Sequence, residues 1–456
     1  MILREMVDRL GEKCPFSVML RATLENVLSP ERVNTIFENN AERQSNQTLM
    51  FSTVADIMGL VACRMYPSVN AAYRAKLEEA GVTAKALYDK LQRIEGPVSR
   101  AMVRDTAPQL AAIISKLGVH NPEWLAGYRV KILDGNHLRR TERRLKELRT
   151  INGAPLPGHA IAVLDPFLGL VIDVFPCEDG HAQERTLLPA VLETVSAGDL
   201  WIGDCNFCTT GFLWGIDICD AYFVIRQHPQ NLRPTLIGKR KKIGRTETGM
   251  VYEQAMQIAD EEGNSITIRR ITIELDEPTR NGDTEIHILT NLPKRITAIR
   301  ICELYLKRWA IETAFGEIAM NLHGEIETLG YPKAALFGFC MALLAYNLLA
   351  IMKAAMSAAH GPQAKESLSI YYVSDEIAHT YRALEIVPDS HWEMSFANLS
   401  AAQLAKQLIQ IASTVNLARY QKTPRGPKKE PPPMNKKKRN HVSTARILSQ
   451  RVAIPK

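Results

Sequence analysis

At 456 residues the chain is too long for one ordinary domain, and two to four are expected. Its composition, 46% hydrophobic and 23% charged, is that of a soluble globular protein able to bury a substantial core. The net charge of +7 is unevenly spread. Residues 419–456 carry twelve Lys and Arg against one acid, Glu430, so the rest of the chain is slightly acidic. A tail of this kind suggests an anionic polymer as partner; composition alone equally allows a solvated, disordered terminus.

The eight cysteines are scattered, which argues for reduced thiols in a cytosolic protein and against a disulfide-stapled secreted one. Cys205 and Cys208 form a C-x-x-C, but no second pair stands at zinc-finger spacing. Met1–Leu10 lacks the apolar stretch of a signal peptide. Leu336–Met352 is apolar except for Asn347 and slightly short for a membrane span, so it reads as a buried helix.

In chain order, residues 1–120 read as helical. Thr53–Arg64 and Ala84–Arg93 show apolar residues at helical spacing, with Thr83 as the N-cap of the second. A helix-turn-helix and a plain helical bundle both suit this pattern. The texture changes at Tyr128, where alternating residues predict a strand ending at Asp134-Gly135. Strands at Ala160–Leu164 and Leu168–Phe175, a helix at Arg185–Val195, a strand at Leu200–Asp204, a helix at Phe207–Ile216 and a strand at Ala221–Gln227 complete an α/β unit. A basic cluster (Lys239, Arg240, Lys241, Lys242, Arg245) follows, then β-rich runs at Ser265–Leu275 and Thr284–Leu292. Helical spacing returns from Thr297 past Met320 and over Lys333–Met356, and continues to about Tyr420. Pro424, Pro427 and Pro431–Pro433 make a stable helix improbable in the Lys-rich remainder.

Asp134 and Asp204 each close a predicted strand, where functional side chains collect in open α/β sheets. Two carboxylates there can share hard cations such as Mg²⁺; an Asp that merely starts a turn is the plainer alternative. A third acid adds weight. Tyr305, Arg308 and Glu312, spaced by three and four, share one helical face. Trp309, Ile311 and Phe315 give that helix a separate apolar side. Glu312 can then reach a metal while Arg308 contacts a phosphate.

Asp134-Gly135, Gly203-Asp204-Cys205-Asn206-Phe207 and Tyr305-x2-Arg308-x3-Glu312 resemble the DDE transposases of bacterial insertion sequences, of the insertion-sequence-four type. The runs Glu184–Pro189 and Glu325–Leu329 and the Arg425–Lys429 tail also resemble that family. The resemblance implies an α/β fold with an RNase H-like core in two parts, 121–232 and 296–360. A β-rich insertion at 233–295 interrupts the core. A helical N-terminal DNA-binding or assembly domain (1–120), a helical C-terminal region (361–420) and a basic disordered tail (421–456) complete the expected organisation. It also implies Asp134, Asp204 and Glu312 as catalytic residues holding two Mg²⁺ ions, with Mn²⁺ as a substitute. The reaction would be cut-and-paste transposition of double-stranded DNA: cleavage at transposon ends, then strand transfer into target DNA. A homodimer in the DNA complex and a cytoplasmic, nucleoid-associated location are expected, without a membrane. One position departs from the pattern: the family's signature Lys, associated with transposon-end DNA, falls on Ala319.

DNA-contact candidates are Tyr305 and Arg308, the cluster Lys239, Arg240, Lys241 and Lys242, and a basic stripe of Arg139, Arg140, Arg143 and Arg144 should that segment be helical. His137 and His323 are weaker candidates. Two rival functions remain: an RNase H-like nuclease without strand transfer, and a non-catalytic DNA-binding protein derived from a transposase.

Overall fold

The computed structural model describes residues 9–452, apart from 47, 140, 231, 233, 260–262, 280–281, 424–425 and 427–439. The first part is helical: α1 (Pro15–Val27), α2 (Pro30–Asn40), α3 (Phe51–Ala62), α4 (Val69–Ala75), α5 (Leu77–Ala80), α6 (Ala84–Leu91), α7 (Gly96–Arg104) and α8 (Ala107–Leu117). Local chemistry starts several of these. Ser29, Ser68 and Thr83 each cap a helix by accepting an N–H three residues on, Thr83 as the sequence predicts.

The α/β part begins with β1 (Arg129–Leu138), β2 (Ala154–Leu156), β3 (Gly158–Asp165) and β4 (Leu170–Cys177). It continues with α9 (Leu188–Leu192), β5 (Asp199–Gly203), α10 (Thr210–Ile218) and β6 (Tyr222–Arg226). Next come β7 (Thr235–Thr246), β8 (Gly249–Ala259), β9 (Ser265–Leu275) and β10 (Glu285–Thr290). Nine of these strands form one mixed sheet in the order β4-β3-β1-β5-β6-β10-β9-β8-β7. Only β1–β5 and β5–β6 are parallel pairs. The strands of the β-rich stretch continue this same sheet, because β10 pairs antiparallel with β6.

The single helix expected over Thr297–Met320 is two, α11 (Ala298–Leu306) and α12 (Ala310–Asn321), joined by a tight 3₁₀ turn at Lys307–Trp309. Beyond them lie α13 (Pro332–His360), α14 (Pro362–Ser367), α15 (Ile370–Thr380), α16 (Asp389–Phe396) and α17 (Ala401–Ser413). Part of the stretch expected to be a disordered tail is ordered. β11 (His441–Ser443) pairs parallel with β2, and α18 (Thr444–Val452) follows, its Arg446 donating to Asp179 at 2.8 Å. The proline-rich run that argued against order lies almost wholly outside the described residues, and 440–452 contains no proline.

Three apolar clusters hold the layers together. Ile132, Ala160, Ala162, Leu164, Val171 and Val174 turn one sheet face toward α13 and the N- and C-terminal helices, which share a single core. Leu133, Ile161, Val163 and Phe175 turn the other face toward α9 and α10. Val130, Leu200, Ile202, Val224 and Ile288 meet α11. Alternation along each strand therefore serves two buried faces, which is why the central strands read as nearly continuous apolar runs.

Helix α13 is long and apolar enough to cross a bilayer by length and composition, yet 89% of its most apolar window is buried within the protein. Its most deeply buried polar residue, Asn347, has a clear role. Asn347 is fully buried, and its side-chain amide donates to the Val171 carbonyl and accepts the Val171 N–H, both at 2.8 Å. Val171 lies in β4 where the register with β3 shifts, and the helix satisfies its backbone there. Asn347→Leu leaves two buried backbone groups unpaired and should destabilise the fold by about 2–4 kcal/mol in urea unfolding. A loss below about 1 kcal/mol would mean that this pair of bonds is dispensable.

Candidate active site

Strand pairing sets the position of the two aspartates. The parallel ladder between β1 and β5 ends at Ile132 opposite Ile202. Antiparallel pairing of β1 with β3 runs on to Leu138 opposite Gly158, so β1 does not stop at Asp134-Gly135 as the sequence suggested. Asp134 thus lies just past the last β5 partner, with one flank open. On the neighbouring strand, β5 ends at Gly203 and Asp204 starts a 3₁₀ turn, its carboxylate accepting the Asn206 N–H at 2.8 Å. Both aspartates therefore stand at the same end of adjacent parallel strands. Asp134 accepts the Gly135 N–H at 3.0 Å.

The third acid arrives on α12. The 3₁₀ turn before it carries Arg308, only 8% exposed, and its guanidinium lies among the acids. Nη1 is 3.3 Å from Asp134 Oδ2 and Nη2 is 2.9 Å from Glu312 Oε1. Tyr305, also buried, lies beside it, its ring centroid 6.0 Å from the guanidinium carbon. Asp134 and Glu312, far apart in the chain, thus pair with one cation, and Asp204 lies near enough for its charge to act on it.

The electrostatics follow from the geometry. Burial pushes the Asp134 carboxyl up to about 7, against the pull of Arg308; the charges of Asp204 and Glu312 push it further the same way. Burial works against the Arg308 charge, yet Tyr305, Asp134, Glu312 and Asp204 together hold its pKa above the usual arginine value. Three carboxylates facing one guanidinium leave the cluster with a net charge of −2 when all are ionised. Oxygen donors of this kind suit a hard divalent cation. As the side chains stand, no group of three or more His, Cys, Asp or Glu among the described residues is gathered closely enough to hold a metal ion. The two observations agree once Arg308 is considered. Its bonds to Asp134 and Glu312 orient both carboxylates toward a guanidinium, and a shared metal would require Arg308 to give way.

Other expected residues fare differently. The described residues of 139–144 form no helix, since β1 runs to Leu138 and irregular backbone follows, so they make no helical basic stripe. Arg139 is exposed and its N–H donates to Glu325; Arg140 lies outside the described residues. Arg143 donates to the carbonyls of Ile151 and Gly153, and Arg144 pairs with Glu142. Lys239, Lys241 and Lys242 stand exposed on β7, the sheet's edge strand. Their neighbour Arg240 is committed to Glu285 at 2.7 Å and to the ring of Tyr252. Trp309 does not join the apolar side of its helix; it is 59% exposed beside Arg308, whereas Ile311 is buried. Ala319 is exposed, and Arg64 of the segment after α3 donates to its carbonyl and to that of Met320. His323 is anchored by its N–H to the Ala62 carbonyl. Cys205 and Cys208 are free thiols.

Two neighbours escaped the sequence reading. Glu184 stands against Gly135 of β1 and against the turn after Asp204, its Oε2 accepting from Asn206 Nδ2 at 3.2 Å. His159 is fully buried and stacks on His137 across the β1–β3 ladder, ring centroids 5.1 Å apart. Glu184 belongs to a run that resembles the transposase family, but nothing in its spacing from Asp134 or Asp204 announces a contact.

Without divalent cations, Asp134 is expected to lose its proton near pH 7. What the protonated form contributes to stability is complete below its unfolded pKa of 3.8 and is lost as pH rises through about 7. Asp134→Asn should therefore match the parent near pH 4 and exceed it in stability by on the order of 1–3 kcal/mol at pH 8 in chelator. Urea midpoints across this range test it; a difference that stays constant with pH rules out the raised pKa.

No curated protein matches the chain. Residues 125–348, just under half of the chain, match the family model of the transposase DDE domain, and all three acids fall inside that stretch. This similarity supports placing the chain with the DDE transposases and, with it, a transposase function in general.

Proposed function

We propose that this protein is a DNA transposase of the insertion-sequence-four type, cleaving DNA at transposon ends and joining them to target DNA. The core built on β1, β3, β4, β5 and β6 reads as RNase H-like, with the strands from β7 to β10 as the inserted element. The observation that carries the reading is that Asp134 and Glu312 share the single guanidinium of Arg308, with Asp204 on the adjacent strand near enough for its charge to act on both Arg308 and Asp134.

In this reading the three carboxylates hold two Mg²⁺ ions, or Mn²⁺. Bound divalent cations activate a water or a 3′-hydroxyl and stabilise the leaving oxygen in an in-line displacement. The chain's own groups do the positioning. Arg308, released from Asp134 and Glu312, presents a fixed fork of donors to a phosphate, which suits bidentate recognition. Tyr305 buttresses that guanidinium from the preceding turn of helix. Lys239, Lys241 and Lys242 on β7 offer phosphate contacts distant from the chemistry. Two ends must be paired for cut-and-paste transposition, so a homodimer on DNA is part of the proposal, as is a cytoplasmic, nucleoid-associated location.

A non-catalytic descendant of a transposase is the second reading, favoured by Ala319 and by the guanidinium seated among the acids. One experiment separates the two. The wild-type protein should nick end-bearing DNA only with Mg²⁺ or Mn²⁺, and Asp134→Ala, Asp204→Ala and Glu312→Ala should each lower the rate by about 10³-fold, roughly 4 kcal/mol of barrier. Nicking by Asp204→Ala at the wild-type rate would refute the enzymatic reading.

DNA affinity should also fall steeply with salt. Neutralising Lys239, Lys241 and Lys242 together is expected to flatten the slope of log K against log salt by about 2–3. A triple-alanine variant with an unaltered slope removes β7 from the DNA surface.

A further inference from the structure

The β1–β5 ladder ends at Ile132 opposite Ile202, before either aspartate is reached. Beyond that point β1–β5 pairing no longer fixes the distance between the strand segment after Asp134 and the turn after Asp204. A side chain from a third segment bridges this gap.

Glu184 opens the 3₁₀ turn Glu184–Leu187 that leads into α9, and its side chain is 13% exposed. One carboxylate oxygen lies flat on Gly135. A Cβ at residue 135 would stand 1.9 Å from Oε1 and 2.4 Å from the carboxyl carbon. Only a residue without a side chain admits this approach. The Gly135 N–H is the one that Asp134 Oδ1 accepts. The other oxygen, Oε2, accepts from Asn206 Nδ2, and the Asn206 N–H in turn donates to Asp204 Oδ1. His137 Nδ1 stands 4.0 Å from Oε1. A chain of contacts thus runs from Asp134 through Gly135, Glu184 and Asn206 to Asp204.

We infer that Glu184 is a positioning residue that clamps the Asp134–Gly135 segment of β1 to the Asp204–Asn206 turn and so sets the separation of the two aspartates. The inference rests on the proposed reading of those aspartates as cation ligands. Glu184 acts through its neighbours: its packing on Gly135 and its acceptor oxygen toward Asn206 are what matter, and its charge is secondary.

Gly135→Ala offers an independent handle. The atoms that a new methyl would meet belong to the far end of the Glu184 side chain, so the substitution displaces that carboxylate and spares the backbone. Mn²⁺ binding to the full-length protein, measured by calorimetry without DNA, is the readout, and Mg²⁺ titration of DNA nicking is the second. Glu184→Ala and Gly135→Ala should each weaken Mn²⁺ binding by about tenfold or more, as loss of an outer support for metal ligands does. The double variant should bind no worse than Glu184→Ala alone, since both changes remove the same contact. Glu184→Gln, which keeps an acceptor for Asn206, should recover binding to within about threefold of the parent. Asn206→Ala should weaken it as Glu184→Ala does, giving a second route should the latter fold poorly. Three results would overturn the clamp: Glu184→Ala binding Mn²⁺ like the parent, losses that multiply in the double variant, or Glu184→Gln falling as far as Glu184→Ala. Should the parent itself bind no Mn²⁺, or Asp204→Ala bind it as well as the parent, the reading of the aspartates fails instead.

Discussion

Asp199 is fully buried at the start of β5, and two cations from β1 converge on it. Arg129 Nε lies 2.9 Å from one carboxylate oxygen and Lys131 Nζ 2.6 Å from the other, while the Ser196 N–H donates at 2.9 Å. Arg129 and Lys131 sit two apart on one strand, so the bond pair fits a single register of β1 against β5. A slip of one residue would shift β1 by about 3.3 Å and turn its side chains to the opposite face. Asp134 would then leave the side of the sheet on which Arg308 and Glu312 lie. Buried ion pairs add little net stability against well-packed apolar groups, and fixing an arrangement is their better attested use. Here the arrangement fixed is the one on which the acidic cluster depends.

Around Arg308 a different balance operates. The guanidinium is 8% exposed and its Nε has no partner, so its burial is offset mainly by charge. Asp134 and Glu312 share it, and burial, joined by the charges of Asp204 and Glu312, raises the Asp134 pKa in spite of the guanidinium. Such a cluster is internally frustrated. Its acids repel one another, and one cation satisfies them incompletely. Perturbed groups of this kind concentrate at functional sites because the same repulsion that disfavours the empty cluster favours entry of further positive charge.

Much of this was legible in the sequence for identifiable reasons. Strands buried on both faces leave long apolar runs, so β1, β3, β4, β5 and β6 could be located within a few residues, and the aspartates at their ends stood out. The Tyr305, Arg308 and Glu312 spacing survived the unexpected 3₁₀ turn because one tight turn alters the helical phase only modestly. What escaped depended on tertiary contact. Whether β1 stops at Asp134 or runs to Leu138 is decided by β3, far along the chain. The arginines at 139–144 carry helix-compatible spacing, but the extended backbone before them and the carbonyls that capture Arg143 settle the matter otherwise. Strand β7 was hidden by its lysines, which mask alternation and also suit an unpaired sheet edge. Trp309 looked like core by spacing alone, yet it belongs to the 3₁₀ turn and is 59% exposed, while Ile311 and Ala314 of α12 are buried. Glu184 could not be found because contact through a glycine and an asparagine leaves no periodic trace.

Helix α13 touches the sheet through β3 and β4, the N-terminal helices through α3, α7 and α8, and the C-terminal helices through α14 and α17. Most of those neighbours bury apolar side chains in the core that this rod shares. The regions that the sequence separates as 1–120 and 361–420 are therefore halves of one shell around a common axle. Excising the acid-bearing segment on its own would strip that axle bare on most of its circumference and leave an insoluble rod. Evolution by exchange of terminal modules, easy in proteins strung like beads, would here demand simultaneous refitting of a seam that runs through both terminal regions.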